Sequence, residues 1–525
     1  MILALDTEDD SQGTVKIINF FDGIKHTTFT SPTLKVDAWD WLNKQAPATV
    51  WATQLEYDLI NLFGSEWLGK LITLQYVGAG LMRGFLKESK VTFFDTLRHW
   101  QYSVKQMGKF LNISKLEMPH LGCACDKCIE YCRRDSEITW RFVEEMLFRY
   151  EVLGLRIKAT LPSMAMQLFK KFYGDNFTEF SDDILQKFKA GYYGGRVELY
   201  QQGRATGIIN HYDFNSLFPS VMVECRYPNL RKWRLTKTPN FDNEGLFQGM
   251  VSLPYTYFPC LPVRNDTEIL FPFGSFEGSW TYPEIRQCLA DGGKVKVIEC
   301  IEFEEVTKPF NEYVNFCYGR RLQSATDLDS IMWKLMLNSL YGKFGQLEGI
   351  TSIHQDRGSG EVVEAVIGGK SKQSNVIWSA YVTAHARLKL LVALRNCSKV
   401  YYTDTDSIFT PDVLPVSIEL GALKLEDSLN GDETEIYFKG NKLYIYGDKA
   451  RAKGIKPDLA REYIHTGRAI YRKPARFRES RRSFAKANVW YDVEKRQNKE
   501  YTKRKVLSDG RTEPWHYLEY LKLYG

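Results

Sequence analysis

Several short stretches of this chain gather carboxylates closely enough that their mutual repulsion needs a reason. In Tyr401-Tyr402-Thr403-Asp404-Thr405-Asp406-Ser407-Ile408-Phe409, two acids stand one residue apart within a run of aromatic and β-branched side chains. Such a run reads as a strand, and alternate side chains of a strand share a face, so Asp404 and Asp406 are expected to point the same way. Either the pair sits at a solvated hairpin tip or it holds a cation. A further acid, Asp213, follows the apolar run Gly207 to Tyr212 and opens Asp213-Phe214-Asn215-Ser216-Leu217-Phe218-Pro219. There Ser216 is expected at a helix N-cap and Pro219 in the first turn, where proline is tolerated. Backbone N–H groups of that turn would face an anion, with Asp213 free to hold a cation beside it.

In Lys334-Leu335-Met336-Leu337-Asn338-Ser339-Leu340-Tyr341-Gly342, the polar residues Lys334, Asn338 and Tyr341 recur at i, i+4 and i+7 and share one helix face. A cation, an amide and a ring on one stripe suit a ligand carrying phosphates and a base; a partly solvated helix gives the same pattern. Taken together, carboxylates from two places, a lysine and an aromatic surface are what nucleotidyl transfer needs. Two Mg²⁺ ions (or Mn²⁺) about 4 Å apart can activate a 3′ oxygen and stabilise a departing pyrophosphate, while the protein positions the reactants and supplies charge. Mg²⁺ takes oxygen ligands, commonly one or two carboxylates plus substrate phosphates.

The amino-terminal part repeats the theme. Asp6 and Glu8 are two apart in a strand-like run, Asp58 closes Gln54-Leu55-Glu56-Tyr57-Asp58, and Tyr131 and Asp135 are one helical turn apart. Four carboxylates and a phenol can build a second two-metal site in which water attacks a phosphodiester. Just upstream, Cys123, Cys125, Cys128 and Cys132 could hold a structural Zn²⁺, but their spacing is tighter than paired zinc knuckles, and ordinary reduced cysteines are the favoured expectation.

The elements that must position these groups can be sketched from pattern. A chain of 525 residues is too long for one core and should form several domains. Its 44% hydrophobic and 26% charged content is ordinary for a globular protein, and the net charge of +6 permits a nucleic-acid partner without requiring one. Arg468, Arg472, Lys473, Arg476, Arg478, Arg481, Arg482 and Lys486, interleaved with Tyr471, Phe477, Phe484 and Trp490, form a basic aromatic segment suited to a phosphate backbone or to a solvated face. No run of about 18 apolar residues is present, and the opening MILALDTEDD turns acidic too soon for a secretory signal. A reducing cytoplasm is therefore expected, that of a bacterial host if the protein is viral. Ile2 to Leu5 reads as a buried strand delivering acids at its end, and helical and strand patterns alternate to about residue 180. The run Gly191-Tyr192-Tyr193-Gly194-Gly195 reads as a joint between domains.

DFNSLFPS, KLMLNSLYG and YTDTDS, in this order, resemble the three polymerase motifs of family B DNA polymerases, and within them the small protein-primed replicases of phages with linear genomes. Tyr192 to Gly195 resembles the YxGG linker motif of that group, and Lys442-Leu443-Tyr444 its KxY motif. Asp6/Glu8, Asp58 and Tyr131/Asp135 resemble, in order, the three motifs of the family's 3′ to 5′ proofreading exonucleases. Thr96-Leu97-Arg98-His99-Trp100 and Lys115-Leu116-Glu117-Met118 resemble two further exonuclease motifs of the protein-primed group. The resemblance implies an α/β and α+β multidomain fold, with an RNase H-like exonuclease domain and a right-hand polymerase of palm, fingers and thumb. It implies Asp213 and Asp406 as catalytic metal ligands with Phe214 among the metal positions, Asp404 assisting, and Asp6, Glu8, Asp58 and Asp135 holding metal in the exonuclease with Tyr131 and Lys115 catalytic. Nucleotide would meet Ser216, Leu217, Phe218, Lys334, Asn338 and Tyr341; DNA would meet Tyr192, Gly194, Gly195, Lys442, Tyr444, Thr96, Leu97, Gln54 and Tyr57. Phe218 stands where the family more often has tyrosine, keeping the steric wall against a 2′-hydroxyl but not the phenol. Gln54 stands where asparagine is usual, with one more methylene; Tyr57 could stack on a base.

The expected spans are exonuclease 1–185, palm 186–225 and 375–470, fingers 309–346 and thumb 471–525. The spans 226–308 and 347–374 fall where the resemblance implies insertions that contact a terminal protein and encircle the template to drive strand displacement. Template-primer DNA, deoxynucleoside triphosphates and a terminal protein are the expected partners, with no membrane and a monomeric chain. A polymerase primed by nucleic acid, and a nuclease or DNA-binding relative with a decayed polymerase site, are the alternatives. The full set of carboxylates argues against decay, and Thr405 between the aspartates argues against a reverse transcriptase.

Overall fold

The computed structural model describes all residues except 87–88, 121, 176, 266–267, 348, 357, 368–374, 478, 480–488 and 498–499. The first strand, Ile2–Asp9, buries Leu3, Ala4 and Leu5 and then alternates, leaving Asp6 and Glu8 half-buried between buried Thr7 and Asp9. The acids thus lie within the strand rather than beyond its end. The reason is pairing: Asp6 and Glu8 remain in register with Asn19 and Ile17 of the antiparallel neighbour Val15–Phe21. On its other side Ile2–Asp9 runs parallel to Ala48–Ala52, which runs parallel to Val91–Asp95. Among the described residues nine strands share this sheet, in the order Val362–Ile367, Ile350–Gln355, Ile72–Val77, Gly80–Leu86, Val91–Asp95, Ala48–Ala52, Ile2–Asp9, Val15–Phe21 and His26–Phe29. The first two lie far along the chain, in the span expected as an insertion.

Helices cover both faces of that sheet. Asp126–Val152 lies across Ile2–Asp9 and Val15–Phe21, and Trp140 Nε1 donates to the Ile2 carbonyl at 3.1 Å. On the opposite face Leu55, Leu59, Ile60 and Leu62 of the helix Leu55–Phe63 join Leu3, Leu5 and Val50 in a separate core.

A second, five-stranded sheet is antiparallel throughout, in the order Leu423–Asn430, Ile208–Phe214, Ser407–Thr410, Tyr402–Asp404 and Val197–Leu199. Asp213 again lies inside its strand. The helix Val376–Arg395, nearly all of whose first half is buried, packs against the helix Leu217–Glu224 that follows Ile208–Phe214. The span 226–308 forms a third sheet, Trp233–Thr236, Lys294–Phe303, Glu244–Leu253 and Gly274–Thr281, with the helix Tyr282–Ala290 packed on it.

One apolar core joins three regions remote in sequence. Phe169 of the helix Leu161–Tyr173 lies 5.4 Å, ring centre to ring centre, from Phe344 at the end of the helix Asp327–Phe344, and Phe344 lies 5.6 Å from Trp378. Phe310 closes the group at 5.5 Å from Trp378. Rings offset or edge-on at these distances attract beyond their burial.

Two expected boundaries fall inside elements. The helix Asp182–Ala190 runs through position 185, and the strand Arg468–Pro474 through position 470. Gly191 ends the first, and Gly467, whose left-handed backbone closes the helix Pro457–Thr466, immediately precedes the second. The turn at Asp356 to Gly360 joins Ile350–Gln355 to Val362–Ile367, whereas residues 368–374 lie outside the described set. Among the described residues no helix is long and apolar enough to cross a membrane.

The Tyr193–Gly194 joint is clamped by a buried ion pair. Arg387 donates to Glu284 at 2.6 Å and to the carbonyls of Tyr193 and Gly194 at 2.7 and 2.8 Å, and Glu284 also accepts from the Thr281 hydroxyl at 2.9 Å. Breaking such a pair strands a buried charge, at a cost of about 3–5 kcal/mol. Arg387→Ala should therefore lower the free energy of unfolding measured in urea by that order, while Arg511→Ala, which removes an exposed pair with Asp509, should leave it in place.

Candidate active site

The Asp404/Asp406 motif is a turn rather than a continuous strand. Tyr402–Asp404 and Ser407–Thr410 pair with Asp404 opposite Ser407, so Thr405 and Asp406 are the two loop residues of a hairpin. Thr405 has φ of 66°, the left-handed conformation such a tight reversal demands. Strand alternation therefore does not set the direction of the two acids, contrary to expectation. The turn is held from below: the Thr405 N–H donates to the Arg196 carbonyl at 2.7 Å, and a Cβ on Gly195 would come within 2.7 Å of Thr405 Cγ2. Gly195 is thus a spacing requirement of the hairpin, whereas a Cβ on Gly194 would meet only Ile269 at an ordinary 3.6 Å.

Asp213 also lies opposite Ser407, on the other side of the same strand, and the Phe214 N–H donates to the Asp406 carbonyl at 2.9 Å. The phenyl ring of Phe214 is buried, leaving only its backbone to face a ligand. Burial, then the charge of Asp406, pushes the Asp213 carboxyl up to about 7, against the pull of Lys334. Burial, then Asp404, pushes Asp406 up to about 6. Asp213 Oδ1 is buried with no hydrogen-bond partner. Asp404 differs: Lys442 Nζ reaches both its oxygens, at 2.6 and 2.7 Å. Lys442 has φ of 53°, and its N–H donates to Tyr402 Oη at 2.8 Å, so the backbone aims the side chain at Asp404. Tyr444 is half-buried, its ring 5.4 Å from that of Tyr402.

The stripe lies on the helix Asp327–Phe344, started by Thr326, whose hydroxyl accepts from the Asp329 N–H at 3.1 Å. Lys334 and Asn338 are exposed and Tyr341 half-buried, with its ring stacked on Phe218 at 4.5 Å and 21°. Tyr192 packs against the end of the same helix, where a Cβ on Gly345 would strike its ring at 2.7 Å. Two expectations fail here. Ser216 occupies the N-cap position of the helix Leu217–Glu224 but does not cap it, because its left-handed backbone (φ 54°) turns the side chain away to accept from Arg321 Nη1 at 3.1 Å. Leu217 is buried in the core, so its side chain cannot meet a nucleotide. Arg321, at the end of the helix Asn311–Leu322, is a cation at this site that the motifs did not single out; the adjacent pair Arg320-Arg321 was its only trace in sequence.

The amino-terminal acids meet in a second cleft of about 410 Å³, lined by Asp6, Glu8, Asp58, Lys115, Tyr131 and Asp135 together with Gln54, Tyr57 and Leu97. Burial, then Asp135, Glu8 and Asp58, raises the Asp6 carboxyl well above the usual range. Burial, then Asp135, pushes Glu8 up to about 8, with Lys115 opposing. Asp58 is likewise raised by burial, although the Thr7 hydroxyl donates to it at 2.7 Å. Lys115 pairs with Asp135 and lies 4.4 Å from the centre of the Tyr131 ring. Burial pushes the Tyr131 phenol up to about 12. Asp6 Oδ2 and Asp135 Oδ1 are buried without a partner. Gln54 is exposed at the cleft in a left-handed conformation, φ 69°. Thr96 does not belong with these DNA-facing groups: it is fully buried, its hydroxyl 3.0 Å from that of Thr53, because its strand ends by tucking it beneath the cleft.

In both clefts the unpartnered groups are carboxylate oxygens, a donor set that fits a hard divalent cation such as Mg²⁺ or Mn²⁺. The cysteine group is composed differently from expectation. Cys132 is buried and donates to the Asp6 carbonyl at 3.4 Å, whereas His120 joins Cys123, Cys125 and Cys128. The basic carboxy-terminal segment straps onto the first sheet: Arg472 donates to the Ser11 carbonyl at 2.8 Å, Arg476 to that of Ala79 at 3.3 Å, and the Phe477 N–H to Glu56 at 2.8 Å. Trp490 follows, its indole N–H 3.3 Å from Asp9 and its ring 6.2 Å from Tyr57. Arg478, Arg481, Arg482, Phe484 and Lys486 lie outside the described residues.

A family model described as DNA polymerase type B, organellar and viral, matches residues 124–389. A DNA-directed DNA polymerase of Enterobacteria phage PRD1 is 29% identical over 352 residues, covering 60% of this chain and 59% of that protein. A probable DNA polymerase of Podospora anserina is 28% identical over 384 residues, covering 60% of this chain and 31% of that protein. The chain thus spans between about a third and three fifths of the length of these relatives. Phi29 DNA polymerase complexed with primer-template DNA superposes with a TM-score of 0.75 at 16% identity, over 94% of this chain and 99% of that one.

Acids raised on folding make stability depend on pH in one direction. Glu8 at about 8, Asp213 at about 7 and Asp406 at about 6 hold protons in the folded state that the unfolded chain releases near pH 4. Their contribution is therefore fully present below about pH 4 and is lost as pH rises through 6 to 8. Thermal melts in chelator should show that loss, and added Mg²⁺ should raise Tm more at pH 8 than at pH 5.5. An Mg²⁺ effect independent of pH would contradict the cation-holding reading of these acids.

Proposed function

Because this chain belongs to the organellar and viral type B DNA polymerases, we propose that it is a DNA-directed DNA polymerase extending 3′ ends with deoxynucleotides, with a separate 3′ to 5′ proofreading exonuclease. The observation that carries this reading is the convergence of Asp213, from one strand, and Asp404 and Asp406, from one hairpin, beside the Lys334–Asn338–Tyr341 stripe of a helix. Mg²⁺ held by Asp213 and Asp406, with the Phe214 backbone beside them, would lower the charge barrier at the attacking and leaving oxygens. Lys334, exposed yet near enough to bias both acids, meets the triphosphate, and Arg321 adds a second cation beside Ser216. Phe218, braced by Tyr341, forms a wall under the sugar that excludes a 2′-hydroxyl, while Asn338 and Tyr341 line the new base pair. Lys442, with Tyr444 behind it, neutralises Asp404 and stands where a primer end would lie.

In the second cleft Asp6, Glu8, Asp58 and Asp135 hold the cations for hydrolysis of a single-stranded end. Lys115 and Tyr131, locked together over Asp135, orient the attacked phosphodiester. Gln54, Leu97 and Tyr57 line the path of the strand. The domain assignment follows: exonuclease from residue 1 to about 190, palm around the five-stranded sheet, fingers in the two helices Asn311–Leu322 and Asp327–Phe344, and thumb from about 467 onward.

Initiation from a terminal protein, with strand displacement and no helicase, in the cytoplasm of a bacterial host, is part of the same proposal. It is supported by the YYGG and KLY motifs and by the hairpin Ile350–Gln355/Val362–Ile367, which reaches from between the helices Asp327–Phe344 and Val376–Arg395 onto the first sheet.

Separation of the two activities is the direct test. Asp406→Ala should reduce primer extension by about 10²–10³-fold or more while single-stranded 3′ ends are still degraded, and Asp6→Ala should do the reverse. Loss of both activities in either variant would overturn the assignment of two sites. On a primed single-stranded circle without helicase, products longer than the circle are expected; arrest after one turn would remove strand displacement from the proposal.

A further inference from the structure

The strap between the helices Val104–Leu111 and Asp126–Val152 carries Lys115 into the second cleft, yet its described residues from 112 to 125 form neither helix nor strand. Something must hold so irregular a segment against the helix. Four side chains converge at the junction. His120 Nε2 lies 2.9 Å from Cys123 Sγ, 3.7 Å from Cys125 Sγ and 3.9 Å from Cys128 Sγ; Cys128 Sγ lies 3.5 Å from Cys123 Sγ and 3.6 Å from Cys125 Sγ. All the donor atoms fall within 4.8 Å of one another. Zinc–sulfur bonds of about 2.3 Å and zinc–nitrogen bonds of about 2.0 Å, set tetrahedrally, put donor atoms about 3.5–3.8 Å apart. The four longer separations lie within a few tenths of an ångström of that range, and the His120–Cys123 contact is shorter.

We infer that His120, Cys123, Cys125 and Cys128 bind a structural zinc ion, which fastens the Lys115 strap to the first turn of the helix bearing Tyr131 and Asp135. Three sulfurs and one imidazole are a soft, borderline donor set that suits zinc and excludes the hard cations of the two carboxylate clefts. Cys125 precedes the helix and Cys128 lies in its first turn, so two ligands belong to the helix start and two to the strap. The Cys125 N–H donates to Cys123 Sγ at 3.3 Å, as a backbone amide does to a metal-bound thiolate. Burial grades from Cys128, which is buried, through Cys123 to His120 and Cys125, which are exposed and leave a path for entry. The cluster is also a wall of the exonuclease cleft's neighbour: a small cavity is bounded by His120, Cys123 and Cys128 on one side and by Glu8 and Tyr131 on the other. Fixing the strap fixes where Lys115 meets Tyr131 and Asp135. That positioning role rests on the exonuclease proposed above; the metal site does not.

Elemental analysis of chain purified without added metal should find one zinc and no iron per molecule. His120→Ala and Cys125→Ser, both at exposed positions, should lose the zinc, whereas Cys132→Ala should keep it. Cobalt exchanged into the wild type should give the intense visible bands of a tetrahedral thiolate site, absent in the first two variants. In those variants degradation of single-stranded 3′ ends should fall on the order of 10²-fold, the scale of an ångström-sized misplacement, with primer extension unchanged. Wild type without stoichiometric zinc, iron in place of zinc, or full zinc content in His120→Ala and Cys125→Ser overturns the site. Zinc lost with degradation undiminished overturns the positioning role. Wild type that holds zinc in this way but degrades no ends bears out the site and removes the exonuclease instead.

Discussion

Negative charge held out of water and left partly unpaired organises this molecule. Asp6, Asp135 and Asp213 each have a buried oxygen with no partner; burial raises the proton affinity of all three, and neighbouring carboxylates raise that of Asp6 and Asp213 further. A fold left to minimise its own energy would separate such groups or pair them with lysine. Here lysines stand near without neutralising the whole set: Lys442 takes Asp404, Lys115 takes one oxygen of Asp135, and Lys334 only biases Asp213 and Asp406. The surrounding structure must supply the stability that these clusters withhold.

It does so with buried polar clamps placed directly behind the acids. Thr405 sits on Gly195, and the next residue, Arg196, is fully buried, pairing with Glu198 at 2.6 Å. Glu198 is approached on its other side by Arg504, also fully buried, at 3.8 Å, and both cations keep the Glu198 carboxyl below its usual range despite burial. Arg504 comes from the carboxy-terminal region, so the strand that supports the hairpin is locked from the far end of the chain. Arg387 does the same service for Tyr193 and Gly194. A joint that would be loose in isolation is thereby rigid where it meets the acids.

What could be read from the residues alone was the local chemistry. Acids at fixed short spacing, a polar stripe at i, i+4, i+7 and a glycine joint are written in contiguous stretches, and the structure brings Asp213 to Asp404 and Asp406, and Asp6 and Glu8 to Asp58 and Asp135. What could not be read depends on single backbone angles or on distant partners. Positive φ at Thr405, Ser216 and Lys442 makes a hairpin of a strand-like run, turns Ser216 to accept from Arg321, and gives Lys442 a partner in Asp404. Thr96 and Leu217 carried the right motif letters but lie in the core. Cysteine spacing does not reveal that His120 joins Cys123, Cys125 and Cys128, nor that Cys132 points at the Asp6 carbonyl.

The hairpin Ile350–Gln355/Val362–Ile367 has a meaning beyond any role in handling DNA. It pairs with Ile72–Val77, which would otherwise be the last strand of the first sheet on that side. An unpaired strand edge is a template for another chain, and proteins cover, charge or shorten such edges to remain apart. Ile353 of the hairpin is fully buried in the core that Leu74 and Ile72 belong to. The amino-terminal acids therefore sit on a sheet that the amino-terminal residues cannot finish by themselves. During synthesis that edge stays open until residues nearly three hundred positions later emerge, which makes late-arriving chain the guardian of early-folded structure.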